Sequence, residues 1–197
     1  MESNSIYGNR LPEMEAVRDK LLGVIEKTRR AMKEKTGMDP AEHVLARIKS
    51  EESMREKCRR QGIPETEESA LTVIRDAIGL RVVCAFLDDV YAMRDALASA
   101  DGAEVVTEKD YIKNAKPNGY RSYHMILQLD GFYAEIQLRT ISMDTWAALE
   151  HHMTYKKAKP DSADLIRAEL KRCADELAST DVSMQTLRNM ILDEREG

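Results

Sequence analysis

The sequence predicts an α+β domain with a mixed central β-sheet flanked by helices. Three observations carry that reading. Two alternating runs, Ser122–Leu129 and Phe132–Arg139, flank the turn pair Asp130-Gly131, a strong hairpin signal. A β-branched, apolar run from Leu80 to Phe86 has the look of a buried strand. Segments of helical periodicity lie before, between and after these strands, so helices and strands alternate in mixed order. The chain has 197 residues, 43% of them apolar and 33% charged, which suits one soluble domain with a full core. It carries no signal-peptide core near Met1–Arg10 and no apolar run of transmembrane length. The three cysteines, Cys58, Cys84 and Cys173, are far apart and odd in number. That argues against a disulfide framework or a zinc site and points to a reducing, cytoplasmic setting.

Taken in order, Pro12 to about Lys35 reads as an amphipathic helix ended near Gly37. Arg47 and Lys49 alternate and would share one side of a short strand. Ser50 is placed to cap a helix with Glu51 and Glu52 in its first turn and Gly62 at its end; Ser53 and Lys57 share a face of that helix. Gly79 stands at the entrance of the Leu80–Phe86 strand, with Cys84 in the core. Asp88–Ala100 reads as a helix between strands. Thr140–Lys157 reads as a helix stopped by Pro160, and Asp161–Leu192 as a long charged helical segment, either one helix or two broken near Ser179-Thr180-Asp181.

The residues with chemistry to offer cluster in four places. Lys109–Ser122 holds four cations (Lys109, Lys113, Lys116, Arg121), two tyrosines and a Pro-Asn-Gly turn in a chain of net charge −5. This local reversal of sign suits a polyanion bearing a flat base, of which a nucleotide is the simplest. In the hairpin register set by Asp130-Gly131, Ile126 faces Glu135, His124 faces Gln137 and Ser122 faces Arg139. Ser122, His124, Glu135, Gln137 and Arg139 then share one face, opposite Met125, Leu127, Ala134, Ile136 and Leu138. Asp76, just before the buried strand, suits a hard cation or an ion pair with Arg75. Arg81, inside an apolar strand, needs a partner such as a phosphate or a base face. Arg47, Lys49, Ser53 and Lys57 form the fourth group, a solvated charged face or a phosphate site. Trp146, Glu150 and Tyr155 recur near helical spacing and read as packing residues, while adjacent His151 and His152 point apart and are no metal pair.

In their spacing these blocks resemble the synthetase domain of the RelA/SpoT family. The resemblance lies in Arg47-x-Lys49-x-x-x-Ser53-x-x-x-Lys57, in Asp76-x-x-Gly79-x-Arg81, and in Lys109-Asp110-Tyr111 with Lys116–Ser122-x-His124. It continues through Glu135-x-Gln137-x-Arg139-Thr140, Trp146-Ala147 and Glu150-His151, over about His43–Lys156. It implies a nucleotidyltransferase-like fold and a stand-alone small alarmone synthetase: one domain over 1–197, with a core at 43–157, helical ends near 12–35 and 161–193, and no hydrolase or regulatory domain. It implies transfer of pyrophosphate from ATP to the 3′-hydroxyl of GDP or GTP, with Mg²⁺ as cofactor. Glu135 would be the base, and Asp76 with Glu135 would hold the metal. Arg47 and Arg81 would sandwich adenine, with Lys49, Ser53 and Lys57 on the ATP phosphates. Tyr120 would stack on guanine, with Lys109, Lys116, Asn118, His124 and Gln137 on the acceptor side and Arg139 supporting them or facing phosphate. Gly119 would allow a sharp turn or close approach of backbone to ligand.

The resemblance also implies a homo-oligomer, in the family's manner a tetramer, with no membrane or DNA partner. Relatives activated by their product carry Phe-x-Thr before the Arg-x-Lys motif. Here His43 and Leu45 stand in those places, so product activation is not expected. Related chemistries are pyrophosphorylation of the tRNA 3′ end, synthesis of adenosine-based alarmones, and nucleotide sensing without catalysis. The acidic net charge and the intact Asn118–Ser122 turn favour a free guanine nucleotide over tRNA. Both carboxylates and all the ATP-side cations are present, which favours an enzyme over a sensor.

Overall fold

A computed structural model describes residues 5–155 and 163–196. Helix α1 (Leu11–Thr36) has Pro at its start and ends at Gly37, whose φ of 72° supplies the left-handed cap. Strand β1 (Ala41–Ile48) follows, then α2 (Glu51–Gln61), capped by the Ser50 side chain on the Ser53 N–H. A π-type turn, Ser69–Val73, leads to β2 (Ile78–Cys84), α3 (Leu87–Ala98), β3 (Glu104–Asp110), β4 (Tyr123–Leu129) and β5 (Phe132–Thr140). Helices α4 (Ile141–Tyr155) and α5 (Ala163–Glu196) complete the chain.

The five strands form one mixed sheet in the order β1-β2-β5-β4-β3, with β2 and β5 parallel and the other pairs antiparallel. The hairpin has the expected register: Ile126 opposes Glu135 and His124 opposes Gln137. Its turn uses positive φ at both Asp130 (49°) and Gly131 (84°). Met125, Leu127, Ala134, Ile136 and Leu138 are buried and meet Met14, Val17, Leu21 and Ile25 of α1 and Val90, Met93 and Leu97 of α3 in one core. Both helices therefore cover the apolar face and leave the polar one open.

Several boundaries differ from expectation. Strand β2 begins at Ile78, so Gly79 lies within it, and Phe86 precedes α3 rather than ending the strand. Helix α3 spans Leu87–Ala98, and Thr140 ends β5. Lys109 and Asp110, expected in the basic loop, belong to edge strand β3. The long C-terminal segment is one helix through Ser179-Thr180-Asp181. Thr180 Oγ1 and Ser183 Oγ bond back to the carbonyls of Glu176 and Ser179, and a tertiary contact holds the helix there: Asp181 Oδ2 accepts a buried 2.6 Å bond from Thr140 Oγ1. Further along α5, Gln185 pairs with Asp88 and Arg188 with Asp89, fastening it to α3. The expected stop at Pro160 lies outside the described residues. None of the described helices is long and apolar enough to cross a membrane.

Candidate functional site

Strand register alone brings most of the predicted residues together. Arg47, Gly79, Glu135 and Ile126 form one row across the open face of the sheet; Leu45, Arg81, Gln137, His124 and Lys109 form the next. Directly opposed residues share a face. Arg47 and Arg81 thus stand on either side of Gly79. They help line a cleft of about 310 Å³ with Leu45, Glu135 and Gln137. Gly79 has no heavy atom within 4 Å of where a Cβ would sit, so its bare backbone leaves the space between the arginines open.

The β1–α2 corner brings two lysines to one carboxylate. Lys49 Nζ and Lys57 Nζ both donate to Asp76 Oδ2, at 2.8 and 2.5 Å. Burial works to raise the Asp76 pKa, but the two lysine hydrogen bonds outweigh it and hold the group below the ordinary carboxylate range. Asp76 Oδ1 is buried without a hydrogen-bond partner. The alternative pairing with Arg75 is not formed; that guanidinium lies 4.7 Å from the Tyr133 ring centroid. Ser53 is exposed, and its hydroxyl accepts from Ser50 Oγ at 2.9 Å.

A hydrogen-bonded chain runs along β5. Gln137 donates to Glu135 Oε2 at 3.3 Å and accepts from Arg139 at 3.0 Å. Arg139 is buried, so it is a cross-brace rather than a phosphate-facing cation: it also donates to Asp144 (3.0 Å), the Tyr120 hydroxyl (2.7 Å) and Ser122 (3.4 Å). Asp144, on α4, was not singled out from sequence. It lies 3.5 Å from Arg81 and 4.0 Å from His43 Nε2 as well. Its signal was the need of Arg81 and Arg139 for an anion, and the spacing from β5 into α4 gave no hint of which one. Arg81 is only half-buried, and burial followed by the Arg139 charge lowers its pKa.

Tyr120 is the hub of the loop. Its hydroxyl lies 2.8 Å from His124 Nε2. The same hydroxyl accepts from Arg139 Nη2 at 2.7 Å, so tyrosine, histidine and arginine form one hydrogen-bonded group. Burial, then the charges of Arg139 and Lys116, push the His124 pKa down to about 4, in keeping with a neutral ring. Lys116 Nζ lies 4.8 Å from the Tyr120 centroid and 4.7 Å from that of Tyr111, and the Tyr120 ring meets Trp146 edge-on at 6.4 Å. Trp146 Nε1 donates to Leu170 O, so this tryptophan joins α4 to α5 and to the loop. Tyr155's side chain lies outside the described residues.

Three features of the loop go beyond its sequence pattern. Gly119, at φ 93°, makes its close approach to α5 and not toward the cleft: a Cβ there would be 2.7 Å from Ala174 Cβ and 3.1 Å from Lys171 Cα. Asn118 shapes the turn, its Oδ1 accepting from the Tyr120 N–H at 3.2 Å. The four cations do not converge. Arg121 pairs with Asp175 of α5 and Lys113 leans on Tyr91, which leaves Lys109 and Lys116 on the His124 side. Among the described residues no three His, Cys, Asp or Glu side chains gather as a metal cage. Two carboxylates, Asp76 and Glu135, remain.

A cleft lined by two guanidinium groups and a carboxylate suits a base carrying phosphates. That places the molecule among nucleotide-handling domains. The chain belongs to the RelA/SpoT family: residues 46–160 match the region found in RelA/SpoT proteins. It is 39% identical over 147 residues to the GTP pyrophosphokinase YwaC of Bacillus subtilis, covering 71% of this chain and 70% of the relative. The solved structure of the small alarmone synthetase 1 of Bacillus subtilis bound to its product pppGpp superposes with a TM-score of 0.74 at 29% identity, covering 92% of this chain and 95% of that one. The same enzyme bound to AMPCPP gives 0.67 at 26% identity, with the same coverage.

Proposed function

We propose that the chain is a GTP pyrophosphokinase that transfers pyrophosphate from ATP to the ribose 3′-hydroxyl of GDP or GTP, releasing AMP and making ppGpp or pppGpp. The observation that carries this is the row Arg47–Gly79–Glu135, which sets the proposed base beside the open slot between two arginines. Adenine lies between Arg47 and Arg81, stacked on their planes. Lys49, Ser53 and Lys57 meet the ATP phosphates, the lysines turning from Asp76 to do so. Guanine stacks on Tyr120. Exposed Lys116 leaves the ring for the acceptor's phosphates, alongside Lys109, while Asn118 holds the turn and His124 fixes the Tyr120 hydroxyl. The related synthetase has been solved with its product pppGpp and with AMPCPP, which supports nucleotides as the ligands of this chain.

In the reaction the 3′-oxygen attacks the β-phosphorus of ATP and its proton passes to Glu135. The bond from the β-phosphorus to the α–β bridging oxygen breaks, and AMP leaves. Gln137, braced by Arg139, orients the Glu135 carboxylate for that proton. The residues fit Mg²⁺: it takes one or two carboxylates plus substrate phosphates, and the orphaned Asp76 Oδ1 with Glu135 would hold it. When bound, the ion neutralises phosphate charge.

The protein acts as a cytoplasmic homotetramer in this reading. Val182, Met184, Leu187, Met190 and Ile191 of α5 are exposed, and as apolar side chains they favour burial against other copies. Glu135→Gln tests the mechanism. It should lower kcat at least about a hundredfold with the fold and AMPCPP binding retained, whereas near-normal turnover would remove Glu135 from the chemistry.

A further inference from the structure

The N-terminal turn lies outside the region that the family resemblance covers, yet it is built into the donor corner. Tyr7 is 2% exposed, and its hydroxyl donates to the Lys49 carbonyl at 2.7 Å. The Lys49 N–H in turn donates to Ala77 O at 2.8 Å, beside Asp76. Both main-chain polar groups of Lys49 are therefore held, one by Ala77 just before β2 and one by Tyr7. Glu51, in the first turn of α2, accepts from Ser5 Oγ at 2.7 Å and from the Ile6 N–H at 3.2 Å, a second tie between the turn and the same corner. Gly8, at φ 56°, fits closely against Glu67, where a Cβ would fall 2.1 Å from the carboxylate. Burial, followed by the Asp76 and Glu51 charges, pushes the Tyr7 phenol well above its ordinary value, so it remains a donor throughout the working range.

We propose that Tyr7 is a positioning residue for the donor phosphates: through the Lys49 carbonyl it fixes the β1–α2 junction from which Lys49 and Ser53 reach ATP. This rests on the ATP reading of that corner. Tyr7 touches no substrate. Its effect falls on donor affinity, because the acceptor loop hangs from β3, β4 and α5 instead.

The test uses the full chain with Tyr7→Phe, which keeps the ring and removes one hydrogen bond. AMPCPP affinity with Mg²⁺ is measured by calorimetry, and KM and kcat for ATP and GDP by initial rates. Loss of the bond should raise the AMPCPP Kd and the ATP KM about fivefold or more, with kcat and the GDP KM within about twofold. Ser5→Ala, which removes the Ser5 tie to Glu51 and the bond that Ser5 Oγ accepts from the Tyr7 N–H but keeps the Tyr7 hydroxyl on the Lys49 carbonyl, should move donor affinity the same way by less. It decides the matter if Tyr7→Phe does not fold. Unchanged donor affinity, or equal losses for donor and acceptor, would overturn the positioning role while leaving the enzyme reading intact. A wild-type chain that binds no AMPCPP would overturn both.

Discussion

Gly119→Ala tests whether the acceptor loop is held by its fit against α5. Two costs combine. A side chain at φ 93° is strained by about 1–2 kcal/mol, and the new Cβ, 2.7 Å from Ala174 Cβ and 3.1 Å from Lys171 Cα, adds about 1–3 kcal/mol of overpacking. Together they reach about 2–5 kcal/mol, a large part of the 5–15 kcal/mol typical of a domain. Helix α5 cannot give way cheaply, because Trp146 holds Leu170 O and Arg121 holds Asp175 on either side of the contact. Gly131→Ala is the control: it has φ 84° but nothing within 4 Å of the new Cβ, so it carries strain alone. Thermal unfolding should show Gly119→Ala destabilised beyond Gly131→Ala by the packing share, with the GDP KM raised more than the ATP KM. Adding Ala174→Gly, which removes the nearest atom, should recover part of that excess despite its own helix cost of about 1 kcal/mol. If Gly119→Ala matches Gly131→Ala in melting temperature and acceptor KM, the loop is not fastened through α5.

Tyr120→Ala should weaken GDP and GTP use far more than ATP use, by the roughly 1–3 kcal/mol of a lost base stack; equal KM rises for donor and acceptor would indicate a collapsed loop. For His124, the folded pKa of about 4 lies below the ordinary 6.5. Its contribution to stability is therefore complete above pH 6.5 and is lost as the pH falls toward 4, by up to about 3 kcal/mol. His124→Gln should flatten that part of the denaturation profile, and an unchanged slope would refute the buried neutral ring. Light scattering should give a tetramer. Initial rates should rise little with added pppGpp, because His43 and Leu45 stand where product-activated relatives carry Phe and Thr; a monomer, or a several-fold activation, would contradict these two statements.

What the sequence made visible follows from where one face of a strand is buried and the other is open. The hairpin declared its register because Asp130-Gly131 fixes the turn and only one face alternates into the core. The edge strands did not. Strand β3, Glu104–Asp110, has no buried residue, so no apolar alternation separated Lys109 and Asp110 from the loop beyond them. Helix α5 was ambiguous because beyond Ala174 its buried residues are Asp181, Gln185 and Arg188, and polar residues leave no hydrophobic period to read. The cleft residues were legible one by one through family spacing. Their mutual bracing was not, since Asp144, Tyr7 and the Gly119–Ala174 contact are meetings of segments far apart in the chain.

The most direct test of the central claim is the fate of labelled phosphate. The protein is incubated with Mg²⁺, ATP labelled at the β and γ positions, and in turn GDP, GTP, GMP, ADP or tRNA. The account predicts both labels joined on the 3′-oxygen of GDP or GTP, with one AMP released for each product formed. Label appearing only as free phosphate, or transferred to tRNA in place of the guanine nucleotides, would contradict it.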